Sequence, residues 1–443
     1  MRKRLCVALL TALSGLLTLT VSAKTWTLEE CIRYAMDNNI TLLKSGISRQ
    51  SAAEDTKLSR AQLLPSLNFS TSQGMSYTPW TESGNAVVTG GQVETTVDKV
   101  SYNGQYTLSA NWTVWNGNRN RNQVKLNSIA EQQAEMDSVT YARNIEEQIA
   151  QLYIQILYTK DAIDVNKAML EAAKVNENRG QQMYDVGQIS KADLSQLTAQ
   201  RAQDEYNVVQ AENQARTYTR QLKELLQIIG DEEFDVARPD YTDGMALQAI
   251  PSMSAIYNQA LDNRPELKRA QLGVQSAELQ GKIAKAQRMP TVSMNASVGT
   301  STNSLSGSGW ANQMKTKLSS GAGFTVTVPI LEQRNTRTAI NKANLQKQEA
   351  LLEIRDKQTS LYSTIENYWI QAENYQNQYK AAKISTESAK DSYDLLSEQF
   401  AVGLKNIVEL QEGKTRLLSA RQSELQSKYM TILNIKMLEF YKK

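Results

Sequence analysis

Among side chains that could do acid–base chemistry, this 443-residue chain holds 46 Asp and Glu and no histidine at all. Glu409 and Glu412 stand three apart in a helical pattern, so their carboxylates share one helix face. Paired acids can do the acid and base work of glycoside hydrolysis, but a chain this rich in acids holds such pairs by chance, and none sits in surroundings suited to that chemistry. The missing histidine removes the commonest general base and the commonest metal ligand. It also excludes every serine or cysteine triad built on an imidazole. Of the two cysteines, Cys6 lies in the apolar N-terminal run, too early and with the wrong neighbours for a lipoprotein cleavage site. Cys31 is then the one thiol left, which excludes an internal disulfide and predicts a thiol packed on an apolar helix face. The chain reads as a protein that is not an enzyme and holds no cofactor and no metal.

The N-terminus reads as an address. Arg2, Lys3 and Arg4 precede the apolar run Leu5 to Val21, and Val21-Ser22-Ala23 ends in small residues, so residues 1–23 are expected to be a secretory signal peptide. The run is short for a membrane anchor, which needs about 20 residues. Without the signal the chain has 46 residues of each sign. No basic stripe with interleaved aromatics is present, so nucleic acid is not an expected partner.

Self-similarity organises the remainder. Ala35-Met36-Asp37-Asn38-Asn39 recurs as Ala260-Leu261-Asp262-Asn263-Arg264, 225 residues on, and the same offset carries Ala61-Gln62 onto Ala286-Gln287 and Pro65 onto Pro290. Val186-Gly187 and Leu194 recur as Val402-Gly403 and Leu410 at an offset of 216. The expected organisation is a first structural repeat over 24–228, a linker over 229–250 with Gly230, Pro239 and Gly244, and a second repeat over 251–443. Each repeat should hold two short helices, the second stopped by its proline, then a strand pair (66–115 and 291–331) and a long helical hairpin (118–228 and 334–441).

Ile145, Ile149, Leu152, Ile156, Ile163 and Leu170 keep coiled-coil spacing. So do Leu194, Leu197, Val208, Ala211, Ala215, Tyr218, Leu222 and Leu225 on the return, and Ile354, Leu361, Ile365 and Tyr368 in the second half. The stretches 118–184 and 334–399 contain no proline, and as helices each would reach on the order of 100 Å. An elongated coiled coil explains these segments as well as any other arrangement does.

The strands discriminate. Leu67 and Phe69 alternate with Ser66, Asn68 and Ser70. Tyr106, Leu108, Ala110, Trp112 and Val114 alternate with Thr107, Ser109, Asn111 and Thr113. Val292, Met294, Ala296 and Val298, and then Phe324, Val326 and Val328, repeat the pattern. One face is apolar and uncharged and the other is Ser, Thr and Asn, which suits a lipid-facing wall around a watery lumen better than a soluble sandwich. Trp112 and Trp115 stand where an interfacial girdle would be, and the loops 75–103 and 299–321 are long and rich in Gly, Ser and Thr. Four strands cannot close a barrel, and open edges are not tolerated in lipid. Several copies of the chain must therefore share one barrel.

In this order and spacing, Trp26-Thr27-Leu28-Glu29-Glu30-Cys31-Ile32, Ala61-Gln62-Leu63-Leu64-Pro65-Ser66-Leu67, Trp115-Asn116-Gly117 with Arg119, Val328-Pro329-Ile330-Leu331, and the turns Tyr184-Asp185-Val186-Gly187 and Phe400-Ala401-Val402-Gly403-Leu404 resemble the TolC family of outer-membrane efflux proteins. The resemblance covers nearly all of the chain after residue 23. It departs at Glu332-Gln333-Arg334, where the family has an acidic residue and two glycines, and this puts the local strand-to-helix turn in doubt. The resemblance implies a mixed α/β membrane protein, mostly α. Three copies would close a twelve-stranded barrel in the outer membrane of a Gram-negative bacterium, above an α-helical coiled-coil barrel in the periplasm, with the linker in an equatorial belt. It implies a passive duct whose partners are a periplasmic adaptor, an inner-membrane pump or exporter and outer-membrane lipid, with no cofactor. Val186, Gly187, Gln188, Val402, Gly403 and Leu404 match the tips that meet the adaptor, the glycines allowing a reversal where a side chain would clash. Asp193, Lys405, Glu409 and Glu412 match a periplasmic gate in which an acid and a base tether neighbouring helices. Stacked rings of carboxylates there would repel, raise their own pKa values and attract cations.

The first functional expectation is the exit duct of a tripartite drug or small-molecule efflux system. A type I protein-secretion or metal-efflux duct of the same fold is the alternative, the lack of histidine and of methionine clusters speaking against a dedicated copper or silver route. A non-pore periplasmic coiled-coil adaptor is the competing class, and it normally has one hairpin where this chain has two.

Overall fold

The computed structural model describes residues 24–80, 85–89, 92–96, 99–230, 234–239 and 243–442. The expected signal peptide, 1–23, lies outside the described residues, as do parts of the first long loop and of the linker. Strand β1 (Lys24–Trp26) leads into α1 (Leu28–Asn38) and α2 (Ile40–Ala61). Strands β2 (Ser66–Tyr77), β3 (Asn85–Thr89), β4 (Gln92–Thr96) and β5 (Val100–Trp115) follow. Next come α3 (Arg119–Asp185), α4 (Lys191–Leu226), β6 (Phe234–Val236) and α5 (Asp243–Ala246). The second half holds α6 (Met253–Asn263), α7 (Pro265–Ala286), β7 (Thr291–Asn303), α8 (Trp310–Thr316), β8 (Ser319–Thr327), α9 (Asn335–Ala401) and α10 (Ile407–Lys442). No described helix is long and apolar enough to cross a membrane.

The duplication is visible in element lengths. The helices α1 and α6 have 11 residues each, α2 and α7 have 22, α3 and α9 have 67, and α4 and α10 have 36. Local chemistry sets the starts. Thr27 closes a capping box on α1, its hydroxyl accepting the Glu30 N–H at 3.2 Å while the Glu30 carboxylate accepts the Thr27 N–H at 2.9 Å. Pro265 occupies the first turn of α7, where its missing N–H costs nothing.

By contact the chain forms two compact units that each draw on both sequence halves. Among the described residues, one comprises 24–43 with 141–263 and 360–442, the other 44–140 and 264–359. The second unit holds a four-stranded antiparallel sheet in the order β2-β5-β7-β8. Its register aligns the apolar positions across the strands: Phe69, Leu108 and Val298 form one row, Trp112, Met294 and Phe324 another, and Trp115, Val292 and Val326 a third. The alternate rows are polar, as in Asn68, Ser109 and Ser297. The four expected strands are present and longer than their strictly alternating cores. Below them, α2 meets α3 through Ser45 and Ser138, α3 meets α7 through Asp137 and Arg269, and α7 meets α9 through Glu278 and Lys347.

The first unit has its main core where Cys31, Ala35, Ile149, Ile156, Leu222 and Val236 pack together. Cys31 is fully buried and its thiol is pushed up to about 12, first by desolvation and then by the nearby Glu30 charge. The middle of α3 buries Tyr153, Ile154 and Leu157 beside the expected seam, so the stripe is wider there than coiled-coil spacing predicts. The expected linker is stitched down. Its β6 pairs in parallel with β1, and Asp243 of α5 accepts hydrogen bonds from Tyr379 and Lys383 of α9 and Lys428 of α10.

Two loops hold structure that the sequence reading did not separate out. The first contains the β3–β4 hairpin, whose sequence signal is a pair of β-prone runs on either side of Gly90-Gly91. The second contains α8, held by buried Gln313, which donates to the carbonyls of Asn303 and Ser308 at 3.0 and 2.6 Å. The doubtful turn at Gln333-Arg334 keeps the backbone of its repeat partner. Gly117 and Asn118 have φ of 65° and 64°, and Gln333 and Arg334 have 45° and 68°. The departure changes the residue types and leaves the left-handed geometry, which disfavours side chains.

Candidate functional site

The expected tips lie in the first unit, at the α3–α4 and α9–α10 turns. Both are Schellman motifs. At the first, the Gln188 N–H donates to the Met183 carbonyl at 2.8 Å and the Gly187 N–H to Tyr184 at 2.9 Å. At the second, Leu404 donates to Gln399 at 2.9 Å and Gly403 to Phe400 at 3.0 Å. Gly187 and Gly403 have φ of 75° and 78°. A Cβ at either position would meet no atom within 4 Å. This corrects the expected clash, because left-handed backbone, not crowding, is what calls for glycine. Val186, Val402 and Leu404 are 70%, 70% and 75% exposed, so each turn presents aliphatic side chains to its surroundings.

The expected gate residues divide. Asp193 and Glu409 are the same position of the two repeats, and each closes a capping box on its returning helix. The Ser190 hydroxyl accepts the Asp193 N–H at 3.1 Å while the Asp193 carboxylate accepts the Ser190 N–H at 3.1 Å. The Asn406 side chain accepts the Glu409 N–H at 3.0 Å while Glu409 accepts the Asn406 N–H at 3.3 Å. Lys405 pairs with Glu409 at 2.6 Å on its own helix start, so within one chain it does not tether a neighbouring helix. That hydrogen bond, with help from the Asn406 backbone, holds the Glu409 carboxyl below the usual range within one chain. Asp193, Lys405 and Glu409 line one cleft of about 660 Å³ with Gln188, Gly403 and Leu404. Glu412 opens instead onto a larger cleft between α9 and α10, beside Gln200 and Arg416, the guanidinium 3.7 Å away.

The side chains that do join the two returning helices escaped the sequence reading. Gln196 donates to Gln411 at 2.8 Å, and the Lys414 ammonium pairs with the Asp204 carboxylate. Both members of that ion pair are at least 95% buried, their side chains 5% and 2% exposed. Lys414 and Asp204 fall on apolar-seam spacing beside Leu410 and Leu417, and a charge on a seam of each of two helices was the available signal. Among the described residues no cluster of three His, Cys, Asp or Glu is placed to hold a metal ion.

A family model described as outer membrane efflux protein matches residues 31–227 and 256–435. Outer membrane protein TolC of Escherichia coli K12 is 23% identical, the match covering 98% of this chain and 85% of that one. The alkaline protease secretion protein AprF of Pseudomonas aeruginosa is 22% identical over 92% of this chain and 82% of its own. The solved structure of CusC, described in terms of transmembrane channel formation, superposes with a TM-score of 0.79 at 15% identity, over 94% of this chain and 91% of that one.

Proposed function

Because the chain belongs to the outer membrane efflux protein family, we propose that three copies close one twelve-stranded barrel and continue as one helical tunnel gated at the hairpin ends. The protein is an outer-membrane exit duct, passive and without catalytic chemistry. One observation carries the trimer. Among the described residues the four-stranded sheet ends in two edge strands, β2 and β8, each paired on one side only, and its edge-strand apolar residues are bare, with Leu67, Phe69, Phe324 and Val326 between 61% and 72% exposed. Lipid would cover the apolar rows, but it cannot satisfy the edge N–H and C=O groups. The β2 edge of one copy therefore pairs with the β8 edge of the next. Two copies would reach the roughly eight-stranded minimum, whose interior side chains fill, and three is the smallest number that leaves a wet lumen. The helical layer supports the same head-to-tail contact. Ile47 and Leu58 on α2 are 64% and 57% exposed, and Leu345 and Leu352 on α9 are 63% and 61% exposed.

In this assembly the six tip residues, Val186, Gly187, Gln188, Val402, Gly403 and Leu404, dock a periplasmic adaptor that couples the duct to an inner-membrane pump or exporter. Asp193, Lys405, Glu409 and Glu412 of three chains surround the periplasmic mouth. Small-molecule efflux is the favoured traffic, and similarity to a protease secretion protein supports protein export as the second reading. Mass measurement of the detergent-solubilised mature protein tests the assembly: a trimer is expected, and a monomer that needs no detergent overturns it. In planar bilayers Lys405→Ala should raise single-channel conductance, and unchanged conductance removes Lys405 from the gate.

A further inference from the structure

The returning helices α4 and α10 superimpose residue for residue at the offset of 216, Lys191 falling on Ile407 and Leu226 on Lys442. Their contact inside one chain is polar and specific. The Gln196 side-chain amide donates to Gln411 Oε1, and Lys414 is buried against Asp204, whose second oxygen accepts from Gln200 at 3.1 Å. The repeat does not reproduce these partners. Asp204 corresponds to Ala420, Lys414 to Thr198, Gln196 to Glu412 and Gln411 to Ser195. In a closed ring of three chains, α4 and α10 alternate. Each α10 then meets its own α4 on one side and the next copy's α4 on the other. The second contact places Ala420 and Glu412 against Thr198 and Ser195, with no ion pair.

We infer that the Asp204–Lys414 pair latches α10 to α4 of its own chain, so that the mouth widens by slip at the seams between chains. The inference rests on the trimeric reading above. Its physical basis is the asymmetry of the two seams. Parting the latched seam strands two buried charges, each of which has lost its water and would lose its partner. Parting the other seam separates small residues and one exposed carboxylate, which water can replace at little cost. Leu197 of α4 and Leu410 and Leu417 of α10, all 2–4% exposed, belong to one apolar cluster within the chain.

Reversible cross-linking separates the two motions. In a Cys31→Ala background, Gln196→Cys with Gln411→Cys places thiols across the seam within a chain. Ser195→Cys with Glu412→Cys places them across the seam between chains. A short bis-methanethiosulfonate reagent should bridge the first pair without changing chain mass on denaturing gels, and should bridge the second into covalent dimers and trimers. Conductance of the first should stay within twofold of its reduced state, whereas the second should fall at least tenfold and recover on reduction. A comparable fall for the first pair overturns the latch, because opening would then need motion within a chain. A trimer by mass in which the second pair never bridges also overturns it, while a failure to find any trimer overturns the assembly itself.

Discussion

Gly180 and Leu197 should be exchangeable only as a pair. A Cβ on Gly180 would lie 2.2 Å from Leu197 Cδ1, so the α3–α4 contact is a hole on the outgoing helix filled by a leucine on the return. The second hairpin makes the same contact with the roles reversed, a Cβ on Gly413 of α10 lying 2.6 Å from Leu396 Cδ1 of α9. Gly180 aligns with Leu396, and Leu197 with Gly413. Leu197→Gly alone removes a leucine that is 4% exposed. That should cost roughly 3–5 kcal/mol for the cavity, and about 1 kcal/mol more for glycine inside a helix. Gly180→Leu alone overpacks the contact, at about 1–3 kcal/mol. In the double variant the helix-propensity terms cancel, and the inventory becomes that of the second hairpin, so the net change should stay near 1 kcal/mol. The coupling between the two sites is then roughly 3 kcal/mol or more, at the top of the range for residues in contact. Amide hydrogen exchange of residues 176–200 in the detergent-held protein reads it directly. Leu197→Gly should speed exchange there by about three to four orders of magnitude, and the double variant should return to within about tenfold of the starting protein. Additive effects, with the double variant opening as the sum of the singles, would refute the hole-and-knob account.

At the tips, Gly187→Ala and Gly403→Ala should each cost about 1 kcal/mol through left-handed backbone, and Leu in the same places should cost no more than Ala because the space is open. Exchange rates of the Gln188 and Leu404 amides check this, and a steep dependence on side-chain size refutes it. Arg334→Gly should stabilise by roughly 0.5–1 kcal/mol, the relief at φ of 68° exceeding the flexibility that glycine adds to the unfolded chain; an unchanged denaturation midpoint counts against the strain. Asp243 is held well below the usual carboxylate range, first by Lys383 and then by Tyr379. Its contribution is full above an ordinary carboxyl value near ~3.9 and fades as pH falls through the lower folded value. Exchange around α5 should therefore quicken only in strong acid, and Asp243→Asn should remove that pH dependence and loosen α5 at neutral pH.

Much of the architecture was legible because it is written in periods. Alternation located all four long strands, and the repeat located both hairpin turns, since Val186-Gly187 and Val402-Gly403 mark a backbone geometry that few residues tolerate. The proposed gate was harder to read for a physical reason. Asp193 and Glu409 follow Ser190 and Asn406 by three, and an acid at that spacing is as well explained by a helix cap as by a pore lining. The structure assigns both carboxylates to caps within the chain, and a capping acid can still present its remaining lone pairs to the mouth. Asp204 and Lys414 stayed hidden because a buried ion pair has no period. It depends on two helices 210 residues apart in sequence meeting at one height, which only the fold supplies.

What the duplication preserved, and what it let drift, orders these contacts by what they do. Features that fix the path of the backbone stay in place: the left-handed turn glycines, the cap and its acid, and the paired left-handed residues after each strand pair, even where Gln333 and Arg334 must adopt them without being glycine. Contacts that only fill space are kept as sums, so glycine and leucine change sides between Gly180–Leu197 and Leu396–Gly413 without altering the fit. The Asp204–Lys414 pair belongs to neither group, since its repeat partners are Ala420 and Thr198. A purely architectural contact would be needed equally at both seams of a ring of alternating hairpins. In the proposed ring, a charge pair present at one seam and without a repeat counterpart at the other makes the seams mechanically unequal, and such a ring opens at the weaker ones.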